Sequence, residues 1–412
     1  MHLTTKISQL NRATLLFPLA LVLFEFAVYI ANDMAQPAML LVTQEFGVEA
    51  SWVPVSMTAF ILGGAALSWL TGPLSDRIGR RPVMLFGVLY FIFSCLATYA
   101  VHTIESYMVL RMLQGAGLSL IAAVGYAAVQ ESFDEITAVK VTALMANVAL
   151  LAPMVGPLAG AALIQFAPWR SCFLLIAAIS FIALLGLWKK MPETVSPHTV
   201  KEPFSRIVHD YVALYSQSRF VLSVLTLTLI GLPLIGWIAL SPVLIVNDFN
   251  LSLLDYGLWQ LPILGSLVLG NLSLIRIADR WPLGRSVLVG CWPMLIGMLF
   301  SLASTINTPY SLILLITGIS FIAFAEGLTM AVLYRFTLMS STLTKGTVSA
   351  GMAVFSLGSY ALGIEIMRLA YIAWHVNGFT LSLVAICGCF ILMVRPRVRH
   401  EMQIRASAMM TD

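Results

Sequence analysis

Glu25 and Asp33 lie in an otherwise apolar stretch, residues 13–41. An acid at the centre of such a stretch costs about 2.5–3.5 kcal/mol on insertion scales, so it normally faces a cavity or a partner. On a helix, eight residues rise ~12 Å and rotate the chain by ~80° net, so both acids can line one broad cavity. Arg111 sits in another apolar stretch, at a depth similar to Asp33. Two readings stay open for that pair: a structural salt bridge, or a charge set that does work. With both acids ionised and Arg111 present, the net charge is −1. A proton or a monovalent lipophilic cation restores neutrality, so the two would compete for one electrostatic vacancy, as exchange requires. Unequal affinity in two conformations is also needed, because equal binding shifts nothing.

Glu326 interrupts the apolar window 310–333. It either adds a third carboxylate to the cavity or stays protonated against a backbone carbonyl. Glu365 and Arg368, three apart, pair locally. Pro153, Gly156, Pro157 and Gly160 fall in one apolar window. Glycine allows close helix contact and proline a bend, so this is a gate or hinge, with plain small-residue packing as the alternative. The most specific string is Gly72-Pro73-Leu74-Ser75-Asp76-Arg77-Ile78-Gly79-Arg80-Arg81-Pro82. Glycine permits a tight turn there, and Asp76 can accept from orphan amides at a helix N-terminus. Arg77, Arg80 and Arg81 can pair with acids at nearby helix ends, such as Glu131. Such a patch could latch two halves together; the bland alternative is a basic anchor at the membrane surface.

The elements that position these residues follow from composition. Hydrophobic residues make up 59% of 412 positions, about 243, and charged residues only 10%. At ~20 apolar residues per span, that is about twelve spans. A mean hydropathy of +0.93 rules out a soluble chain, and a net charge of +4 spread over this length makes no basic face for nucleic acid. Apolar windows of helix length fall at 13–41, 52–71, 82–101, 106–130, 137–164, 169–188, 220–246, 255–275, 284–303, 310–333, 345–369 and 371–394. They are apolar on every side, which excludes the alternation of a β-barrel. The fold class is therefore an all-α membrane protein of twelve spans. The start resembles a signal peptide, but Glu25 interrupts it and no cleavage site follows closely, so it reads as an uncleaved first span. All five cysteines fall in apolar runs and read as buried small hydrophobes.

The one long connection, with Pro192, Pro197 and Pro203, splits the spans six and six. The domains expected are 1–190, a linker 191–219, 220–395 and a tail 396–412. Of the 23 Lys and Arg, all but Arg111, Arg170 and Arg368 fall on the side of both termini and the linker, which puts both termini in the cytoplasm. The halves repeat: Asp76-Arg77 precedes Gly87 as Asp279-Arg280 precedes Gly290, each acid 11 residues ahead of its glycine. Parallel halves place a binding site at the midplane between them.

The Gly72–Pro82 string resembles the signature loop of the major facilitator superfamily. Arg111-Met112-Leu113-Gln114-Gly115 is similar to its proton-linked motif, and Pro153-Met154-Val155-Gly156-Pro157-Leu158-Ala159-Gly160 to its antiporter motif. Over nearly the full length, weaker in the second half, the chain resembles the MdfA-like multidrug/proton antiporters of bacterial inner membranes. Glu25-Phe26, Asn32-Asp33-Met34, Gly125 to Glu131, Ala143 to Leu150 and Lys345 to Ala350 carry this likeness. The resemblance implies two pseudo-symmetric six-helix bundles. It also implies proton and drug recognition by the first-span acids, and a cavity lined by Tyr29, Asn32, Gln114, Tyr126, Met145, Asn147 and Ile235. Glu326 departs from the family pattern.

The function expected is proton-coupled export of lipophilic cationic and neutral drugs by a monomer in the inner membrane, powered by the proton gradient with no cofactor. Its partners would be small-molecule drugs, protons and membrane lipids. A dedicated exporter of one metabolite or siderophore is the alternative. No hydrolase or nucleotide motif appears, and the six histidines show no metal-ligand spacing, so neither an enzyme nor a metal site is expected.

Overall fold

The computed structural model describes residues 14–195, 204–278, 280–282, 284–306, 309–343 and 345–409. Lys6, Arg12 and the repeat acid Asp279 lie outside them. The chain forms two compact units, Met1–Ile207 and Val208–Asp412.

In unit 1 the first window breaks in two: α1 (Leu16–Asp33) and α2 (Ala35–Glu45) meet at Met34. Pro37 explains the break, because it has no N–H to donate to the carbonyl of Asp33, four residues back. α3 (Val53–Ile78) ends at Gly79, whose φ of +116° suits only glycine, and α4 (Arg80–Leu96) follows at once. The fourth span starts at a capping box between Thr103 and Ser106. It runs through α5 (Ile104–Ser119), a π-helical turn at Leu120–Gly125 and α6 (Tyr126–Ser132). Asp134 caps α7 (Glu135–Leu163) by accepting from the Thr137 N–H, and α8 (Arg170–Lys190) closes the unit.

The stretch expected to be linker holds α9 (Phe204–Tyr215). Its Tyr215 hydroxyl donates to the Gly351 carbonyl at 2.9 Å, and its Leu214 is buried. Unit 2 continues with α10 (Ser218–Val243), a π-helical turn at Leu244–Asp248, α11 (Leu253–Ala278), α12 (Arg285–Ala303) and α13 (Ser311–Leu338). The last helix, α14 (Lys345–Met409), is broken at Trp374 and His375, where non-helical torsions separate the eleventh and twelfth spans.

Among the described residues, ten helical stretches are long and apolar enough to cross a membrane; the last holds two spans, and α7 supplies the twelfth. Side chains facing outward, such as Phe86, Phe93, Leu299 and Leu392, are apolar and exposed, as a lipid-facing surface requires. Cys389 belongs to this exterior, which corrects its expected burial; the other four cysteines are buried. Two residues apart on a helix, Cys387 and Cys389 cannot share a face.

The sequence repeat has a packing counterpart inside each unit. A Cβ on Gly87 would lie 2.3 Å from Leu120, and one on Gly290 would lie 2.5 Å from Thr329. So the glycine that trails each Asp-Arg pair lets the third span of its own bundle press on the fourth.

Candidate functional site

The acids occupy one helix. Glu25, Tyr29 and Asp33 follow at i, i+4 and i+8 on α1, and both carboxylates are buried. Tyr126, delivered by the turn after the π-helical segment, donates to Glu25 Oε1 at 3.2 Å. Among the described residues Glu25 Oε2 has no hydrogen-bond partner. The fourth span thus sets a phenol against one oxygen of a buried acid and leaves the other for a proton or a cationic group.

Arg111 is fully buried and does not pair directly with Asp33. Its Nε donates to Ser56 Oγ at 3.0 Å, and its Nη1 to Gln114 Oε1 at 2.9 Å and to the Ala31 carbonyl at 3.2 Å. Nη2 donates to Asn32 Oδ1 at 3.3 Å, and Asn32 Nδ2 donates to Asp33 Oδ1 at 3.1 Å. A neutral amide therefore bridges arginine and acid. The guanidinium also stacks 4.8 Å from the Phe60 ring centroid and 5.9 Å from that of Phe173. Gln114, expected as cavity lining, is instead fully buried in this network and donates to the Ser94 carbonyl at 3.2 Å.

The motif in α7 packs on the α1–α2 break. A Cβ on Gly156 would lie 2.7 Å from Asp33 Cβ, and one on Gly160 would lie 2.4 Å from the Met34 carbonyl oxygen. Pro153 and Pro157 sit within α7, which runs on through both. What the sequence offered as a hinge in the fifth span is, in this state, a close contact, and the interruption lies opposite it in the first span.

The Gly72–Pro82 string builds a second cluster, at the end of unit 1 away from Asp33. Arg80 is buried; its Nη2 lies 2.5 Å from Asp76 Oδ1 and 3.0 Å from Glu131 Oε1, and its Nη1 donates to Ser75. Contrary to the expectation, Asp76 does not cap a helix N-terminus, because it falls in the last turn of α3. Glu193 takes that role: its carboxylate accepts from the N–H groups of Arg80 at 2.9 Å and Arg81 at 3.2 Å. Gly79 makes room, since a Cβ there would meet Glu193 Oε2 at 2.4 Å. Gly72 lies within α3 and is not the turn residue. Arg81 donates to the Trp188 carbonyl at 2.7 Å rather than to an acid, and Arg77 is exposed. Thr194 donates to Glu131, so the end of the sixth span joins the cluster. Glu193 and Thr194 were missed by sequence reasoning, although an acid right after Lys189-Lys190 is a signal in itself.

Met145 is fully buried on α7, while the Asn147 side chain lies outside the described residues. Ile235 and Glu326 belong to unit 2. Ile235 is half-buried on α10; Glu326 is buried on α13, and its Oε2 has no partner among the described residues. Its Oε1 and the Tyr360 hydroxyl converge on the open side of Gly231. Glu365 and Arg368 pair as expected.

A model of the Major Facilitator Superfamily matches residues 21–367. The multidrug transporter MdfA of Edwardsiella ictaluri is 51% identical over 373 residues, 90% of this chain and 91% of that protein. The MdfA of Yersinia pestis is 48% identical over 374 residues, 91% of each. The chloramphenicol resistance protein CraA of Acinetobacter baumannii is 46% identical over 398 residues, covering 97% and 96%. A solved D-xylose-proton symporter shares the fold at 15% identity, with a TM-score of 0.72 over 92% of this chain and 96% of that one. With a matching model and relatives near half identity over nine-tenths of its length, the chain belongs to the Major Facilitator Superfamily, as an MdfA-like member.

Proposed function

We propose that the chain exports lipophilic cationic and neutral drugs across the bacterial inner membrane in exchange for protons, by alternating access. It works as a monomer with both termini cytoplasmic, powered by the proton gradient without a bound cofactor. The observation that carries this reading is the charge set in unit 1: Glu25 and Asp33 buried on one helix, and a single buried Arg111 joined to Asp33 through Asn32. Two acids against one arginine leave a vacancy of one positive charge, which a proton and a cationic drug fill in turn. Tyr29 and Tyr126 flank Glu25 with aromatic surface suited to varied cations. The names of the relatives, multidrug transport and chloramphenicol resistance, support drugs rather than a single metabolite as substrates. The Arg80 cluster serves as the conformational latch, because it stands at the far end of the spans from Asp33.

The test is transport by inverted vesicles with membrane potential and ΔpH clamped separately. One monovalent cation exchanged for one proton moves no net charge, whereas a neutral drug exchanged for a proton moves one. Potential contributes about 2.3 kcal/mol per charge per 100 mV, roughly fifty-fold in gradient. Cation export therefore follows mainly ΔpH, and neutral-drug export follows both. Glu25→Gln removes the negative charge that attracts cations, so it costs cationic drugs more than neutral ones. Equal losses for both classes would refute the vacancy, and export that responds to neither gradient would refute proton exchange.

A further inference from the structure

The fourth span carries its polar groups on two helical pieces. Arg111 and Gln114 sit on α5, with the guanidinium held by Ser56, Ala31 and Asn32. Tyr126 and Glu131 sit on α6, which is only seven residues long. Between the pieces lies the π-helical turn Leu120–Gly125, and one of its wide bonds belongs to Tyr126 itself. The Tyr126 N–H donates to the Ile121 carbonyl, five residues back instead of four. The span therefore holds one residue more than an α-helix joining the same two ends. Both ends of the turn are packed. A Cβ on Gly87 would lie 2.3 Å from Leu120, and one on Gly125 would lie 3.1 Å from Leu21 of α1.

The short helix α6 touches both polar clusters of unit 1. At its first residue the Tyr126 hydroxyl donates to Glu25 Oε1 at 3.2 Å. Five residues on, ~7.5 Å along the axis, Glu131 accepts from Arg80 Nε at 3.3 Å and Nη2 at 3.0 Å, and from the Thr194 hydroxyl. A helix this short moves as one piece, and the surplus residue gives it a way to move. As the wide turn passes down the span, each residue it crosses rotates by ~100° and shifts ~1.5 Å. Phe133 is extended directly after Ser132, so the surplus leaves the helix there. That swing takes Tyr126 off Glu25 and Glu131 off Arg80 in one step, while α5, upstream of the turn, keeps its place. We propose that the π-helical turn is a movable joint through which α6 couples the charge site at Glu25 to the Arg80 latch. A cation or proton at Glu25 neutralises the charge that holds the phenol, so it weakens the Tyr126 bond, frees α6 and releases Glu131 from Arg80. By linkage, loosening the latch end tightens cation binding at the other end by the same factor. The coupling rests on the transport reading of Glu25, but binding and transport test the two separately.

The test measures the Kd of radiolabelled tetraphenylphosphonium for the purified full-length protein in neutral detergent, and its export by inverted vesicles. Glu131→Gln should tighten binding about fivefold, the difference between a hydrogen bond to a charged acceptor and one to a neutral acceptor. Tyr126→Phe keeps the ring, loses the donated bond and should do the same. The double variant should bind no tighter than either single, about fivefold rather than about twenty-five-fold. Deleting Ala122, an exposed residue of the wide turn, makes it ordinary helix with both ends in place. That variant should bind the cation no tighter than the wild type, lose its response to Glu131→Gln, and export at least ~tenfold more slowly. If thermal melting shows the deletion variant to be poorly folded, the cycle of point variants decides alone. Multiplying effects in the double variant, a Glu131→Gln effect that survives the deletion, or wild-type export by the deletion variant would each overturn the joint. A wild type that shows the coupling in binding but exports nothing would overturn the export reading and support the joint.

Discussion

Replacing Glu193 tests whether the Gly72–Pro82 string is held by the acid that follows the sixth span. In the structure this carboxylate accepts from Arg80 N–H at 2.9 Å and Arg81 N–H at 3.2 Å. It also accepts from its own neighbours Thr194 and Val195 at 3.0 Å each. Removing a carboxylate cap costs about 0.5–2 kcal/mol, so Glu193→Ala should destabilise unit 1 by ~1–2 kcal/mol. Gly79→Ala carries two penalties. Its φ of +116° with ψ of 147° is a region that residues with a Cβ enter at a cost of about 1–3 kcal/mol. Its Cβ would also meet Glu193 Oε2 at 2.4 Å and expel the cap, adding the same ~1–2 kcal/mol. The second penalty disappears once Glu193 is gone. The double variant should therefore fall short of the sum of the singles by ~1–2 kcal/mol, the whole value of the cap. Thermal unfolding in detergent, at about 2–4 °C per kcal/mol for a unit of this size, resolves that difference. Strict additivity would refute the reasoning, because glycine and glutamate would then act independently.

Three other substitutions have defined outcomes. Gly156→Ala should lower stability by ~1–3 kcal/mol through overpacking against Asp33, whereas Gly346→Ala, with nothing within 4 Å, should be neutral or mildly stabilising; paired thermal melts decide it. Arg111→Lys keeps the charge but cannot reach four acceptors on Ser56, Ala31, Gln114 and Asn32 from one nitrogen, so vesicle transport of cationic and neutral drugs alike should drop at least ~tenfold. Glu45 gives a pH signature: burial pushes its carboxyl up, but the Trp169 indole N–H and Arg170 outweigh burial and hold it below its ordinary 4.5. Since the folded value is depressed, the stabilisation is present above the ordinary value and lost as pH falls through the lower folded one. Glu45→Gln should flatten that part of the melting-temperature curve by lowering the melting temperature at neutral pH, and leave acid pH below the folded value little changed.

The spans were legible because a helix in lipid must be apolar for some twenty residues, and nothing else in a chain looks like that. What breaks or bends them was less so. Pro37 marks the break after Asp33, yet an apolar window of 13–41 hides it, since proline does not interrupt apolarity. The π-helical turn at Leu120–Gly125 is apolar like the helices around it and leaves no compositional trace. α9 was concealed in the opposite way. Arg206, His209 and Asp210 make its stretch read as polar, while Leu214 and Tyr215 anchor it beside Gly351.

At the site, residue type announced Glu25, Asp33 and Arg111, because charge in an apolar span is conspicuous. The link between them was not readable, since Asn32 beside Asp33 gives no hint that its other face receives Arg111. That link changes the electrostatics. In a direct buried pair, stripping one partner of its charge leaves the other uncompensated, at about 3–5 kcal/mol. Here the guanidinium makes its hydrogen bonds to Ser56, Ala31, Gln114 and Asn32, all neutral acceptors. Asp33 is held through the far side of the same amide. A change of charge on Asp33 therefore breaks no bond of Arg111; it alters only a longer-range Coulomb term. For the proton exchange proposed above, such a partner serves Asp33 better than a salt bridge, because the arginine keeps its place in both charge states.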